Sequence, residues 1–485
     1  MPDIALVTIN AKWIHPSLGL RLLQANLAEL EARSHLYEFA TRQEPSVWTE
    51  TLLAAKPCII AFSVSIWNHT ATLSLLKTLE VRWEQSSGTA QKPIIIMGGP
   101  EAANLPPDTE LLTHADWLIR GEGELAFRDL CRELLADAGT DTTIKTIRRL
   151  QTTNTTEPNT MESASAKHGP HVVEAEELEL VAIDPGYRLY TEEDLSRKLT
   201  YVEASRGCPF GCEFCLSSTD RRVREFPMDR FLSNMETLIA RGARSFKFLD
   251  RTFNLDAGRA RAIMEFFLER LVPGMFVHFE MIPGRFPIEL REMLIRFPPG
   301  SLRLEVGIQT FNPTVAALVG RTSKPETELE TLRFLRDHTN AIVHADLIAG
   351  LPGEDFASFG RGFDLLWSAG PNEIQPGILK RLPGTPLTRH DQTYGMSYSE
   401  EPPYEVVSTS VLSKEELDRL KNFARFWELI VNRGHFSSFV DRVFPSDQSV
   451  FDRFMVLADS LRARFGRDWG IPRDELRNAM EAAIL

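Results

Sequence analysis

Three of the five cysteines in this chain, Cys208, Cys212 and Cys215, stand within eight residues. They lie in the run Ser205-Arg-Gly-Cys208-Pro-Phe-Gly-Cys212-Glu-Phe-Cys215, directly after a strand-like segment at 199–204. Thiolates spaced C-x3-C-x2-C can hold three irons of a 4Fe–4S cluster. The fourth iron is then left to a non-protein ligand, so a small molecule can bind the metal directly. The competing reading is zinc or reduced core cysteines. Structural zinc takes four closed ligands, and no fourth Cys or His stands nearby at knuckle spacing. Cys58 opens an apolar run and Cys131 falls in a helical segment, so both read as core. Cysteines so few and so clustered do not form a disulfide framework. They fit one metal site in a reducing compartment, the cytoplasm.

Other residues that could do chemistry follow the cysteines. A strand at 245–249 ends in Asp250, with Asn254 four residues on. The strand at 302–308 alternates so that Glu305, Gly307 and Gln309 share a face. Acid and amide side chains inside a barrel are costly unless they bind something. Asp346-Leu-Ile-Ala-Gly350-Leu-Pro-Gly353-Glu354 ends a further strand, and Glu280, Arg285 and His344 are additional candidates to line a cavity. Taken singly, each of those three is more often structural, and Asn254 reads equally well as a helix cap.

These side chains need elements to position them. Segments at 4–9, 58–64, 93–97 and 117–119 read as strands, with helical spacing over 18–32 and again up to about residue 138. Strands alternating with helices imply a parallel sheet covered on both faces. Ligands of such sheets bind at the carboxyl ends of the strands. The loops at Asn10, Ser63–Trp67, Gly98–Glu101 and 121–124 share that edge. Residues 139–177 are rich in Thr, Asn, Ser and Glu and read as a linker or surface excursion. A second series has strands at 199–204, 245–249, 275–282, 302–308, 342–348 and 373–379. Six βα units predict a parallel barrel, partial or full, with its chemistry at the strands' carboxyl ends. Beyond 395 the chain reads as helical. Ser413 and Glu416 form a capping box ahead of the stripe Leu417, Leu420, Phe423, Trp427 and Ile430, with Gly434 at its end.

A chain of 485 residues predicts two or three domains. The net charge of −13 argues against a nucleic-acid backbone as partner. No apolar run reaches the roughly 18 residues of a membrane span, and the N-terminus reads as a first strand, not a signal peptide.

The cysteine run after the first strand of a six-stranded series resembles the signature of radical S-adenosylmethionine (SAM) enzymes, over about residues 195–390. That resemblance implies that SAM's amino and carboxylate groups chelate the open iron. One electron from the cluster then cleaves SAM to methionine and a 5′-deoxyadenosyl radical, which abstracts hydrogen from the substrate. It places SAM against Phe214, Asp250, Asn254, Glu305, Gln309 and Gly350. It also implies an electron donor such as flavodoxin or ferredoxin, and a small-molecule substrate of unknown identity.

The upstream region resembles the cobalamin-binding domain of one large radical SAM class. The resemblance rests on Ser63-Val-Ser65-Ile-Trp67-Asn68, Met97-Gly98-Gly99-Pro100-Glu101 and Gly121-Glu122-Gly-Glu124, in that order. It implies cobalamin contacts at Ser63, Ser65, Trp67, Gly98, Gly99, Pro100, Glu101, Gly121 and Glu122. Domains that supply a lower axial histidine carry Asp-x-His-x-x-Gly. Here Lys12-Trp13-Ile14-His15-Pro16-Ser17-Leu18-Gly19 lacks the acid, and its glycine is one residue late. Histidine-ligated cobalamin is therefore not expected, and Trp13 and His15 are left to cap the cofactor face, to line substrate, or to form a solvated turn.

The expected fold is α/β: an N-terminal Rossmann-like (flavodoxin-like) parallel sheet over 1–140, a linker or excursion over 141–194, a partial (βα)6 radical SAM barrel over 195–395, and a helical C-terminal domain over 396–485. The expected activity is cobalamin-dependent methyl transfer to an unactivated carbon. The alternatives are radical rearrangement or oxidation without methylation, RNA modification, and a non-catalytic cofactor carrier or sensor. RNA-modifying relatives carry extra N-terminal cysteines and a basic tail, which this sequence lacks. The absence of cysteines after Cys215 argues against a second cluster.

Overall fold

The computed structural model describes residues 2–85, 92–137, 169–444 and 448–483. The chain divides into two compact units, Met1–Tyr201 with Thr237–Gly242, and Val202–Glu236 with Ala243–Leu485.

The first unit is built on a six-stranded sheet. Its strands are β1 (Ile4–Asn10), β2 (Ser34–Ala40), β3 (Ile59–Ser63), β4 (Ile94–Gly98), β5 (Trp117–Arg120) and β6 (His171–Glu174). They lie in the order β2-β1-β3-β4-β5-β6, and all the pairings are parallel. β1 is apolar on both faces because helices cover both. Ala5, Val7 and Ile9 pack with Phe62, Leu75 and Leu79 in one cluster. Ile4 and Leu6 pack with Leu20, Phe127 and Leu130 in another. Each of the larger side chains contributes about 1.5–3 kcal/mol on burial.

Two edge strands depart from the sequence reading. β2 was not expected, and its mixed burial is that of an edge element. β6 comes from inside the segment expected to be an excursion. His171–Glu174 pairs residue by residue with Trp117–Arg120. Residues 141–168 of that segment lie outside the described residues. The helix expected over 18–32 ends at Ala25 and is followed by a 3-10 turn, Ala28–Arg33.

The next strands are β7 (Thr200–Val202), at the boundary of the units, and, in the second unit, β8 (Ser205–Arg206), β9 (Arg224–Glu225), β10 (Ser245–Phe248), β11 (Phe276–Met281), β12 (Leu302–Gln309), β13 (Ile342–Ala349) and β14 (Glu373–Ile378). The main sheet runs β7-β10-β11-β12-β13-β14 in chain order, and β14 does not return to pair with β7. That is a partial barrel. β12 and β13 alternate buried and half-buried residues. One face is an apolar layer under the helices, and the other is half accessible. β8 and β9 form a short antiparallel ladder at the two ends of the cysteine loop.

The C-terminal helices belong to this second unit. The capping box of Ser413 and Glu416 opens the helix Lys414–Trp427. Leu417, Leu420, Phe423, Trp427 and Ile430 are all buried, and Gly434 adopts a positive φ beyond them. The Phe423 and Trp427 rings stack at 5.8 Å, and Phe363 of the barrel helix Phe356–Ala369 meets both edge-on. Among the described residues, no helix is long and apolar enough to cross a membrane.

Candidate functional site

The cysteine loop leaves the carboxyl end of β7 and is held at both margins. Asp250 is buried at the end of β10. Its two oxygens accept from the Ala204 N–H at 2.9 Å and the Ser205 hydroxyl at 2.6 Å. Asp250 therefore fixes the start of the loop, and burial pushes its carboxyl up to about 6. On the far side, the Cys208 N–H donates to the Asp220 carbonyl at 3.0 Å. Gly207 sits at φ +90, where a Cβ would lie 2.2 Å from the Arg222 carbonyl oxygen, so only glycine fits the crossing.

Cys208, Cys212 and Cys215 are free and half-buried. Burial pushes the Cys208 and Cys212 thiols up, so metal binding there has to displace protons. Among the described residues, no group of three or more Cys, His, Asp or Glu converges to hold a single ion. Arg321, absent from the sequence reading, points Nη1 to within 4.0 Å of the Cys212 sulfur and donates from Nη2 to the Gly307 carbonyl on β12. A Gly-Arg pair after a short helix gives no local signal of that reach.

The half-accessible face of the barrel carries charge in ranks set by register. Glu280, Glu305, His344 and Glu373 lie side by side across β11 to β14. Glu305 stands 3.3 Å from His278 Nε2 and 3.2 Å from Lys247 Nζ, and these neighbours hold its carboxyl down at about 2. Glu280 pairs with Arg251 at 3.3 Å. Burial lowers His344 to about 4. Asp346 is different, because its Oδ1 is buried with no hydrogen-bond partner. Burial, aggravated by Glu305 and Glu280, raises its carboxyl to about 8. An orphaned carboxyl oxygen on the half-accessible face calls for a partner from a ligand, and SAM's hydroxyl and ammonium groups can supply one.

The remaining residues expected to meet SAM divide. Phe214 lines a cleft of about 550 Å³ with Ile348, Leu379 and Lys380. Gln309 ends β12 at φ +70, just after a register shift, with its amide folded over Gly307. Gly350 turns toward Val406 and Leu417, not toward open space. Asn254 is buried and caps no helix. It donates to the carbonyls of Ile282 and Arg285 and accepts from the Ile282 N–H at 2.7 Å.

In the first unit the expected cobalamin residues gather at the carboxyl edge of β3, β4 and β5. The two central loops are stitched together. The Val64 N–H donates to the Gly98 carbonyl at 2.8 Å, and the Glu101 N–H donates to the Val64 carbonyl at 3.1 Å. Gly99, at φ +96, would place a Cβ 2.7 Å from the Val64 oxygen. Its need for glycine is thus internal to the loops. The Glu101 carboxylate turns to His69 at 3.1 Å, both buried. Glu122 accepts from the Leu178 N–H at 2.8 Å, and Gly121 packs against Ala175. The Ser65 N–H donates to Asn68 Oδ1 at 2.8 Å, and Asn68 also reaches the Ser63 carbonyl. Pro100 is exposed. Trp67 is 56% exposed and Trp13 46%, at the ends of the neighbouring strands β3 and β1. Lys198 Nζ lies over the Trp13 ring at 5.1 Å, which leaves Trp67 as the more exposed indole on this edge. His15 turns aside and lies 2.8 Å from the Tyr201 hydroxyl.

Family comparisons agree with both halves of this description. A model described as "Radical SAM superfamily" matches residues 202–366, and one described as "B12 binding domain" matches 4–131. The chain belongs to the radical SAM superfamily, in the group that carries a B12-binding domain. A third model, "Protein of unknown function (DUF4080)", matches 392–468.

Among the relatives of this radical SAM protein is the cobalamin-dependent radical SAM methyltransferase TokK of Streptomyces tokunonensis. It is 23% identical, over 70% of this chain and 50% of that protein. The 2-(S-pantetheinyl)-carbapenam-3-carboxylate methyltransferase of Streptantibioticus cattleyicolor is 24% identical, over 70% and 49%. The chain spans about half the length of these curated relatives. The solved structure of the cobalamin-dependent radical enzyme OxsB, with aqua-cobalamin and SAM bound, shares the fold. Its TM-score is 0.59 at 14% identity, covering 100% of this chain and 79% of that one.

Proposed function

We propose that this radical SAM protein is a cobalamin-dependent methyltransferase acting on an unactivated carbon of a small molecule. The observation that carries the reading is the unpartnered, buried Asp346 oxygen on the half-accessible face of a barrel whose first loop bears the three cysteines. In this reading Cys208, Cys212 and Cys215 hold three irons of a 4Fe–4S cluster and leave the fourth to SAM. The cluster, when bound, supplies the electron that cleaves SAM, and cobalamin supplies the methyl-carrying capacity.

The chain's own residues bind and orient. Asp250 holds the start of the cysteine loop. Phe214, beside Ile348, offers an apolar wall to the adenosine. Asp346, Glu280 and Gln309 offer acceptors to the hydroxyl and ammonium hydrogens of SAM. Trp67, with the backbone of Gly98 and Gly99, faces cobalamin. Barrel walls that exclude water protect a radical from quenching. The functional division follows 1–140, 195–395 and 396–485. The protein works in the cytoplasm and is reduced by flavodoxin or ferredoxin.

The test is anaerobic reconstitution with iron, sulfide and hydroxocobalamin, followed by desalting and metal analysis. The reading expects about four irons and one cobalt per chain. With labelled SAM and a reductant it expects 5′-deoxyadenosine. Iron without cobalt sinks the methyltransferase reading and leaves SAM cleavage standing. Iron without SAM cleavage sinks the enzyme reading.

A further inference from the structure

The segment after β14 reaches back to the cysteine loop. Glu213 stands between Cys212 and Cys215 and is only 5% exposed. Its Oε2 lies 2.8 Å from Nε2 of His390, itself buried. Its Oε1 pairs with Arg389. Its own N–H donates to the Val319 carbonyl at 3.0 Å, so both backbone and side chain are fixed. Arg389 and His390 come from the 3-10 helix Pro386–His390, and Arg389 also reaches the Leu318 carbonyl at 3.4 Å. A carboxylate buried beside sulfur ligands is costly unless paired, and an apolar residue of similar size would fill the space at lower cost. Nothing in the binding of SAM described above uses this carboxylate. Net charge, hydrogen bonding and solvent exposure around an iron–sulfur cluster set its reduction potential.

We propose that Glu213, clamped by His390 and Arg389, is a positioning residue that fixes the spacing of Cys212 and Cys215, and that its carboxylate offsets the cations of Arg389 and Arg321 next to the cluster those cysteines would hold. The clamp rests on the reading that the three cysteines hold a cluster.

The test uses the full chain, reconstituted anaerobically, as wild type and as Glu213→Gln, Glu213→Ala, His390→Gln and His390→Ala. Iron per chain is counted, and the reduced cluster is titrated by electron paramagnetic resonance. Glu213→Gln keeps the shape and one accepting oxygen for Arg389, and removes the charge. It is expected to retain its iron while the midpoint potential moves in the positive direction. Glu213→Ala and His390→Ala are expected to lose half or more of the iron and to broaden the spectrum. His390→Gln, whose amide still donates to the carboxylate, is expected to restore both. A wild-type chain that binds no iron removes the cluster reading and the clamp together. A wild type with about four irons, and variants matching it in iron and potential, removes the clamp alone.

Discussion

The two six-stranded parallel sheets handle polarity in opposite ways. In the first, β1, β3 and β4 are apolar on both faces, and polar side chains gather in the loops at their carboxyl ends. In the second, β12 and β13 bury every other residue and present Arg303, Glu305, Gln309, His344 and Asp346 on the remaining face. A sheet packed on both sides offers a ligand only its edge. A partial barrel offers the face itself, and the ranks of charge on it persist because each has a partner or awaits one. The first sheet is therefore suited to hold a large ligand at arm's length, and the second to surround a small one.

The largest effect that would sharpen this contrast is loss of the cysteine loop's metal. Cys212→Ala is expected to reduce bound iron from about four per chain to below one, as read by colorimetric iron assay, and to abolish SAM cleavage. The stacked apolar core of the first sheet should leave cobalt binding intact in that variant.

Next is the edge of the first sheet. Gly99→Ala sets a methyl against the Val64 backbone, which cannot move aside, at a φ of +96. A strained left-handed position costs about 1–3 kcal/mol. Thermal unfolding should show that loss, with cobalamin retention falling and iron unchanged.

The third prediction concerns the barrel face. Asp346→Asn, which replaces a protonated carboxyl with an amide of the same shape, is expected to weaken SAM binding by up to about tenfold, since a hydrogen bond between neutral groups is worth about 0.5–1.5 kcal/mol. It also carries a sign with pH. The folded chain keeps the Asp346 proton up to about 8, whereas the ordinary carboxyl releases it at 3.8. Between those values the folded state binds more protons, so stability falls as pH rises. The variant should lose less melting temperature than the wild type between pH 5 and pH 8. Identical profiles would mean that Asp346 is not the buried acid described.

The smallest effect belongs to Glu305, already partnered. Glu305→Gln should cost about 1 kcal/mol at neutral pH. Its carboxyl is held at about 2 against an ordinary 4.5. The contribution is therefore present above 4.5 and lost as pH falls through about 2. A denaturant titration at pH 7 reads it.

Much of this was legible in the sequence because strand alternation is local. Glu305, Gly307 and Gln309 do share one face of β12, and the stripe from Leu417 to Ile430 is buried. What was not legible depends on partners far along the chain. β2 and β6 are edge strands with one neighbour each, so their patterns are weak, and β6 was hidden in a polar stretch. Asp250 and Asn254 were read as ligand groups because their residue types suit the task. Yet Asp250 is occupied by Ala204 and Ser205, and Asn254 by Ile282 and Arg285. The pair of Glu213 and His390 spans 177 positions of sequence, and no spacing rule reaches that far.

The inward turn of Asn254 changes how the rim of the barrel can behave. One buried amide joins the loop after β10 to the loop after β11 through three hydrogen bonds. Those two loops are tied to one another, so a ligand settling on that side would meet a preformed brim. The entropy of ordering it is lost when the chain folds, and little is left to lose when the ligand arrives. Affinity on that flank should then change little when residues away from the ligand are replaced.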